Sequence, residues 1–263
     1  MTILERILLS KRLEVKQMLM NVENVSRETF VERPTLFAAL KNAEQLQVIS
    51  EIKRASPSKG EIAFGVDPSV QAQIYEKSGA ACISVLTDAP FFKGSFADLS
   101  AVAKTVQIPI LCKDFIIHEV QIDRAKAAGA SVILLIVAAL NAESLLRLYR
   151  YAMRLGLEVI VEVHDRNEME QAITVGARIV GVNNRDLRTF EVDLRRTEEI
   201  ASRFPFGDQH VLISESGIWH PDDARRVAAY GAEAVLVGES LMRSGDAGEA
   251  IRSLQVRKVG ARV

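Results

Sequence analysis

The sequence predicts an α/β fold, a closed (β/α)8 TIM barrel with an N-terminal helical extension. From Val48 onwards, eight apolar strand-like runs alternate with amphipathic segments of helical length. Such alternation is typical of a parallel sheet covered by helices. A Gly-Ala pair precedes every even-numbered strand, which indicates a βαβα unit used four times. The length of 263 residues also suits one barrel domain of about 250 residues.

The composition indicates an ordinary globular protein of the cytoplasm. Hydrophobic residues make up 48% of the chain and charged residues 25%. A net charge of -1 gives no sign of binding to nucleic acid or to a membrane surface. The longest apolar run, residues 132–140, is too short to span a bilayer, and the charged N-terminus does not read as a signal peptide. Cys82 and Cys112 lie in apolar runs, and no metal-binding spacing is present.

Two helices are predicted ahead of the first strand. Residues 1 to about 20 carry apolar side chains at helical spacing, and a short helix is predicted over 35–43, with Pro34 at its start. We expect residues 1–47 to form an extension packed on the barrel, and residues 48–263 to form the barrel as a single catalytic domain. The strands are assigned to residues 48–53, 81–87, 109–114, 131–137, 158–163, 179–183, 210–215 and 234–238.

Helix ends mark the connections between these strands. Glycine ends a helix by adopting the left-handed conformation, and the Gly-Ala pairs begin at Gly79, Gly129, Gly176 and Gly231. Helix starts are predicted at Asp67-Pro68, at Asn141 with Ser144, and at Pro221-Asp222-Asp223. The repeat favours a closed barrel over an open doubly wound sheet. The absence of GxGxxG after the first strand argues further against a dinucleotide-binding sheet.

The first strand ends in a pair of opposite charges. Glu51 and Lys53 stand two residues apart, on the same face as Ile49. A polar loop follows, with a turn at Pro57 and a flexible exit at Gly60. Considered alone, this pair fits an exposed ion pair at a fraying strand end as well as it fits a functional site.

Polar residues recur at the carboxyl ends of the other strands, where the active sites of such barrels lie. They are Lys113, Glu162, Asn183 with Arg185, Glu215 and Glu239. Each could face water if taken singly. Together they form a ring in an interior that normally holds Val, Ile and Leu, and buried charges are costly unless they are paired and functional. The pattern therefore predicts an active site.

Small residues at the ends of the last two strands predict a phosphate site. Ser216-Gly217 and Gly238-Glu239-Ser240 allow backbone N–H groups to approach an anion. The loops after the seventh and eighth strands are the common phosphate position of this fold. We therefore expect a phosphorylated substrate.

Seven motifs then point to one family. They are EIKRASPSKG (51–60), SVLTD with FFKGS (84–95), PILCKDF (109–115), VEVH (161–164), VNNRDL (182–187), SESGI (214–218) and VLVGESLM (235–242). On these motifs the chain resembles indole-3-glycerol phosphate synthase, an enzyme of tryptophan biosynthesis. The motifs cover every strand except the fourth, and the first and the sixth are highly specific. The N-terminal extension also resembles the extra helices of that family, which pack near the barrel mouth.

The resemblance implies a reaction and its catalytic residues. The substrate would be 1-(o-carboxyphenylamino)-1-deoxyribulose 5-phosphate, which undergoes ring closure, loss of CO2 and loss of water without a cofactor or metal. Lys113 is implied as the general acid, and a strand-end lysine near other cations would have a lowered pKa. Glu162, assisted by Glu51, is implied as the base of dehydration. Lys53 is implied as a mobile cation, and the division of labour between the two lysines stays open.

The resemblance also implies the groups that bind the substrate. Asn183 and Glu215 would hold the ribulose chain. The phosphate and substrate cradle would consist of Ser56, Arg185, Ser216, Gly217, Gly238 and Glu239. The wall around the anthranilate ring would consist of Phe92, Phe115, Leu134, Leu187 and Leu236, for which a place in the ordinary core is equally compatible.

Two residues need separate interpretation. Family members often carry Ser or Ala where this chain has Glu239, so we expect its backbone N–H to face the phosphate and its side chain to point away. His164, after the fifth strand, could be a base, but a role in the loop is favoured.

Two other functions were weighed. Phosphoribosylanthranilate isomerase would use a cysteine and an aspartate, whereas Cys112 is out of phase with the site. An inactive sugar-phosphate sensor would be expected to have lost Lys113, Glu162 or Glu51. Because the sequence ends soon after the eighth predicted helix, we expect no second barrel. We expect a monomer or homodimer that binds a small phosphorylated molecule, with no nucleic-acid or membrane partner.

Overall fold

Eight parallel strands form a closed barrel, and their order around it is their order along the chain. The computed structural model describes residues 1–20, 32–63 and 65–258. The predicted extension and barrel domain also include 21–31, 64 and 259–263, which lie outside these residues. The strands are Gln47–Ile52, Cys82–Leu86, Ile110–Lys113, Val132–Ile136, Glu158–Val163, Ile179–Asn183, Val211–Glu215 and Ala234–Val237. The predicted (β/α)8 barrel is confirmed, and each strand differs by at most one residue at either end from its predicted bounds.

Helices surround the barrel and also precede it. Both predicted N-terminal helices are present, as Ile3–Met20 and Leu36–Lys41. Where only a polar loop was predicted after the first strand, a small hairpin pairs Ala55–Ser56 with Gly60–Glu61. The other helices are Pro68–Lys77, Ala89–Phe92, Phe96–Ala103, Glu119–Ala127, Ala142–Arg154, Arg166–Thr174, Arg195–Ala201, Pro221–Ala229, Glu239–Arg243 and Ala247–Leu254, with a 3-10 turn at Val137–Ala139.

The predicted helix boundaries have the expected hydrogen bonds. Asp67 accepts from the backbone N–H groups of Ser69 and Val70, and Asn141 accepts from that of Ser144. Gly79, Gly129, Gly176 and Gly231 have φ angles of 90°, 94°, 88° and 101°. These left-handed conformations end one helix and direct the chain into the next strand.

Strand residues alternate between two layers of core. One layer fills the barrel interior and includes Leu111, Leu134 and Ile160. The other lies between strands and helices and includes Cys112. Because side chains alternate along a strand, the inward phase that buries Leu111 also directs Lys113 into the barrel. Cys112 is therefore outside the site, as its phase predicted.

A helix closes the amino-terminal end of the barrel. Leu36 and Leu40 are fully buried and belong to the interior layer of core. The backbone N–H groups of Leu36 and Phe37 donate to the carboxylate of Glu158, at the start of the fifth strand. A carboxylate at a helix N-terminus satisfies N–H groups that have no partner within the helix. This end of the barrel is thus sealed, and the opposite end carries the site.

Candidate active site

A cavity opens at the carboxyl ends of the strands. It is lined by every residue that the sequence analysis assigned to the site. These residues are Lys113, Glu162, Glu51, Lys53, Ser56, Phe92, Phe115, Leu134, Asn183, Arg185, Leu187, Glu215, Ser216, Gly217, Leu236, Gly238 and Glu239. They come from all eight strands or the loops that follow them, with Leu134 supplied by the fourth strand itself.

Lys113 is held between two carboxylates. Its Nζ lies 3.3 Å from Oε2 of Glu162 and 3.6 Å from Oε2 of Glu215. Burial lowers the pKa of Lys113, but the charges of Glu162, Glu215 and Glu51 outweigh burial and raise the pKa above its usual value. The expectation of a lowered pKa is therefore wrong for this arrangement, because the nearest charges are carboxylates rather than cations.

The two glutamates that face Lys113 differ in their pKa. Burial raises the pKa of Glu162, but Lys113, His164 and an N–H of Asn183 at 3.0 Å outweigh burial and hold it below its usual value. Burial raises the pKa of Glu215 to about 7, against the opposing charge of Lys113 and with the added repulsion of Glu162 and Glu51. Neighbouring carboxyls whose pKa values are pushed apart are typical of acid–base centres.

Glycines on neighbouring strands make room for the carboxylates. A Cβ atom at Gly181 would lie 2.2 Å from Oε1 of Glu215. A Cβ atom at Gly238 would lie 2.6 Å from Oε1 of Glu51 and 3.2 Å from Nζ of Lys53. Glu51 and Lys53 are themselves paired at 2.6 Å. Since any larger residue would displace these charged groups, the two glycines are part of how the site is built.

Small residues and one arginine border the region where a phosphate is expected. Ser216 and Gly217 follow the seventh strand with φ angles of 66° and 86°. Gly238 precedes the short helix that begins at Glu239. The guanidinium of Arg185 donates to the carbonyl oxygen of Phe190 at 3.1 Å while the residue lines the cavity. These groups offer N–H and O–H donors to an anion.

An apolar wall faces the charged groups. The rings of Phe92 and Phe115 lie 6.0 Å apart between centroids. Phe92 lies on a short helix that Asp88 caps by accepting from the N–H of Phe91. With Leu134, these rings give the cavity one apolar side next to its charged groups, which suits a ligand that carries an aromatic ring.

The N-terminal helix contributes to the cavity, which was not predicted from the sequence. Ile3, Leu4 and Ile7 line the cavity, so that helix covers part of the barrel mouth. Its apolar spacing indicated a buried face but could not show which surface it packs against. Phe190 and Trp219 also line the cavity and were not predicted.

Lys11 was missed as well and is almost fully buried, with 1% of its surface exposed. Its Nζ lies 2.7 Å from Asp114, 3.1 Å from Asp88 and 2.8 Å from Glu14. Asp114 follows Lys113, and Asp88 caps the helix that carries Phe92. Lys11 therefore connects the N-terminal helix to two loops of the site. Its sequence neighbours, charged and apolar in turn, gave no signal of this.

His164 lies beside Glu162 rather than in a remote part of the loop. Its Nε2 is 3.5 Å from Oε1 of Glu162, and its Nδ1 is 3.0 Å from Oε2 of Glu168. Burial lowers the pKa of His164, but the hydrogen bond to Glu168 and the charge of Glu162 outweigh burial and raise the pKa.

The side chain of Glu239 faces cations. One of its oxygens lies 3.3 Å from Nε of Arg243 and 3.9 Å from Nζ of Lys59. Within the described ranges, no group of three or more His, Cys, Asp or Glu side chains could hold a metal ion. Nor is any helix in these ranges long and apolar enough to cross a membrane.

The fold and the site together define a (β/α)8-barrel protein whose cavity combines paired lysine and glutamate side chains with small residues and an arginine. The family model described as indole-3-glycerol phosphate synthase matches residues 4–254. The chain therefore belongs to the indole-3-glycerol phosphate synthase family.

Individual relatives agree with this membership. The chain is 49% identical over 259 residues to indole-3-glycerol phosphate synthase of Listeria monocytogenes serotype 4a, which covers 98% of this chain and 100% of the relative. It is 50% identical over 240 residues to the Oceanobacillus iheyensis enzyme of the same name, which covers 90% and 92%. The protein is accordingly a carboxy-lyase of tryptophan biosynthesis.

A solved structure shows the same fold at low identity. Thiamine phosphate pyrophosphorylase from Pyrococcus furiosus superposes with a TM-score of 0.59 at 17% identity, over 84% of this chain and 96% of that one. At this identity the likeness concerns the barrel alone.

Proposed function

We propose that this protein converts 1-(o-carboxyphenylamino)-1-deoxyribulose 5-phosphate to indole-3-glycerol phosphate, CO2 and water by lysine–glutamate acid–base catalysis. The observation that supports this most directly is Lys113 within 3.3 Å of Glu162 and 3.6 Å of Glu215. This centre lies in one cavity with an aromatic wall and an anion cradle. The substrate has the three matching parts: an aromatic ring, a ketone that must be protonated, and a phosphate.

Lys113 acts as the acid of ring closure in this proposal. The aromatic carbon that bears the carboxylate attacks the ketone carbon, and the ketone oxygen takes a proton from the lysine ammonium. Because the pKa of Lys113 is raised, the lysine is protonated in the free enzyme. CO2 then leaves, and the electron pair of the broken bond restores the aromatic ring.

Glu162 acts as the base of dehydration. It removes a proton from the methylene carbon adjacent to the carbon that bears the new hydroxyl. The hydroxyl leaves as water after protonation by Lys53 or Lys113. The pKa of Glu162 lies below its usual value, so the residue is ionised and able to accept this proton. Glu51 assists through its 2.6 Å pair with Lys53, which holds that cation at the edge of the cavity.

Three parts of the cavity bind the three parts of the substrate in this proposal. Asn183 and Glu215 hold the ribulose chain. Donors to the phosphate come from Ser56, Arg185, Ser216, Gly217, Gly238 and the backbone N–H of Glu239. Phe92, Phe115, Leu134, Leu187 and Leu236 enclose the anthranilate ring. We further propose residues 48–263 as the single catalytic domain with 1–47 as its extension, and a monomer or homodimer that works in the cytoplasm.

A fluorescence assay for the indole product tests the proposal. The parent protein is given the carboxyphenylamino-deoxyribulose phosphate, without added metal, beside Lys113→Ala and Glu162→Gln. We expect product from the parent and a loss of about a hundredfold or more in both variants. Lys77→Ala and Glu249→Gln, at exposed helical positions, are matched controls and should retain the parent rate.

Two results would contradict the proposal. A folded parent that binds the substrate without forming product would favour the sugar-phosphate sensor. A parent that forms product while both variants keep full activity would remove Lys113 and Glu162 from the mechanism.

A further inference from the structure

The proposed reaction consumes one proton per turnover. The ketone oxygen gains one proton and the departing hydroxyl gains another, whereas the neighbouring carbon releases one. The balance agrees with the charges, because the substrate carboxylate leaves as neutral CO2. This inference rests on the proposed function. The extra proton needs a place in the protein, since Glu162 and Glu215 are almost fully buried.

A histidine stands directly behind the proposed base. Nε2 of His164 lies 3.5 Å from Oε1 of Glu162 and makes no hydrogen bond within the described ranges, although it is buried. The distance is slightly longer than a hydrogen bond, and contacts of this kind often tighten only when substrate is bound. The ring is thus aimed at Glu162 and has an unused position for a proton.

The other side of the ring is fixed by Glu168. Oε2 of Glu168 lies 3.0 Å from Nδ1 of His164 and also accepts from the backbone N–H of the same residue at 2.8 Å. An ionised carboxylate only accepts hydrogen bonds, so Nδ1 carries a proton in every state. Any proton that the ring gains or loses must therefore be at Nε2, which faces Glu162.

The charges around the ring favour a second proton. Glu162, Glu168 and Glu215 are the carboxylates that act on it. The cations in the neighbourhood are Lys113, on the far side of Glu162, and Arg196, whose Nη1 lies 3.4 Å from the carbonyl oxygen of His164. Carboxylates at both ring nitrogens stabilise an imidazolium.

We propose that the imidazolium of His164 stores the proton that each turnover consumes and delivers it to Glu162. Glu162 first returns the proton from the substrate carbon to one of the lysines. The N–H bond at Nε2 then breaks, and its proton moves to Oε1 of Glu162 for the other lysine. After product leaves, water in the open cavity protonates Glu162, which passes the proton back to Nε2. No ring flip is required, because the proton enters and leaves at the same nitrogen.

A proton stored at His164 predicts the order of product formation and proton uptake from solvent. If the proton is already in the protein, product forms before a proton is taken from solvent. A single turnover in weak buffer with a pH-indicator dye, followed together with indole fluorescence, separates the two events. At about pH 6, near the ordinary pKa of histidine, we expect dye uptake of one proton per product to lag behind product formation in the parent.

His164→Gln should keep the lag of the first turnover, because the lysines begin the cycle as ammonium ions. One lysine then stays without its proton, so each later turnover of this variant should proceed only as fast as a proton is taken from solvent. We also expect kcat to fall by up to about a hundredfold with KM little changed, because Glu162 stays in place. Glu168→Gln is the second variant, since it keeps the ring but weakens the imidazolium. The pH above which later turnovers proceed only as fast as solvent proton uptake should be lower in that variant than in the parent by about one unit or more.

The outcomes distinguish this inference from the proposed function. A parent that forms no product contradicts the function itself. An active parent whose proton uptake coincides with product formation at about pH 6 overturns the store alone. The same conclusion follows if later turnovers of His164→Gln are as fast as those of the parent, or if their pH dependence is unchanged in Glu168→Gln.

Discussion

The two ends of the barrel are each covered by one helix of the N-terminal extension, and the two covers differ. At the amino-terminal end, Leu36 and Leu40 are fully buried in the barrel interior. At the carboxyl-terminal end, Ile3 and Ile7 line the cavity, and Ile7 is buried together with Val15. The buried charge of Lys11 also holds that helix. Apolar packing of Leu36 and Leu40 therefore seals one end of the barrel. The helix over the other end depends in addition on the ion pairs of Lys11.

Two glutamates of the fifth strand show the same contrast. Glu158 and Glu162 lie four residues apart and so face the same side of the strand, with Ile160 between them. Burial raises the pKa of Glu158, against two backbone N–H groups that lower it. The pKa of Glu162 is lowered by Lys113 and His164 despite burial. Two identical side chains on one strand thus differ in their pKa, because different groups face them.

The largest expected effect concerns the ion pairs of Lys11. Lys11→Met leaves Asp88 and Asp114 buried without their cation, which should lower the free energy of unfolding by about 3–5 kcal/mol. KM should rise, because the helix that lines the cavity loses its attachment. Denaturant titration and initial rates measure the two effects.

Lys16→Met, at an exposed position of the same helix, is the control and should change stability by no more than about 0.5 kcal/mol. Equal effects of the two substitutions would show that the helix is held by its apolar face alone, like the helix at the other end.

The second prediction separates the two glutamates. Glu158→Ala leaves the N–H groups of Leu36 and Phe37 without an acceptor and should lower the free energy of unfolding by about 1–3 kcal/mol. Its kcat should remain close to that of the parent. Glu162→Gln should do the reverse, with activity lost and stability largely kept. If Glu158→Ala reduced kcat as strongly as Glu162→Gln, the division between a structural end and a catalytic end would fail.

The third prediction concerns pH. The pKa of Glu215 is raised from 4.5 to about 7, so its ionisation is less favourable in the folded than in the unfolded chain. The stability that its protonated form contributes is complete below about pH 4.5 and is lost as the pH rises through about 7. Glutamine does not ionise. The Tm of Glu215→Gln relative to the parent should therefore increase across this range, and a difference independent of pH would contradict the assignment.

The smallest expected effect tests whether every charge at the open end contacts the substrate. The side chain of Glu239 faces Arg243 and Lys59, so Glu239→Ser should leave KM almost unchanged. Arg185→Met is the comparison and should raise KM about tenfold or more, as expected for a lost charged hydrogen bond. A large improvement in KM for Glu239→Ser would show that this carboxylate does oppose the phosphate.

Much of the fold could be predicted because its signals are local. The alternation of apolar runs, the glycines that end helices and the caps at Asp67 and Asn141 depend on neighbours within a few residues. The small hairpin after the first strand was not predicted, since four strand residues with a short turn leave no periodic signal. The strand-end rule predicted which polar side chains line the cavity, because phase along a strand decides which side chains face inwards.

By itself, the sequence determined the barrel, its strand bounds and which polar side chains point into it. Only the tertiary structure decided how those side chains act on each other. The partners of Lys113, the pKa of about 7 at Glu215 and the burial of Lys11 involve groups far apart along the chain. Coulomb interactions depend on distance and on exclusion of water, and neither can be read from the spacing of residues in a sequence.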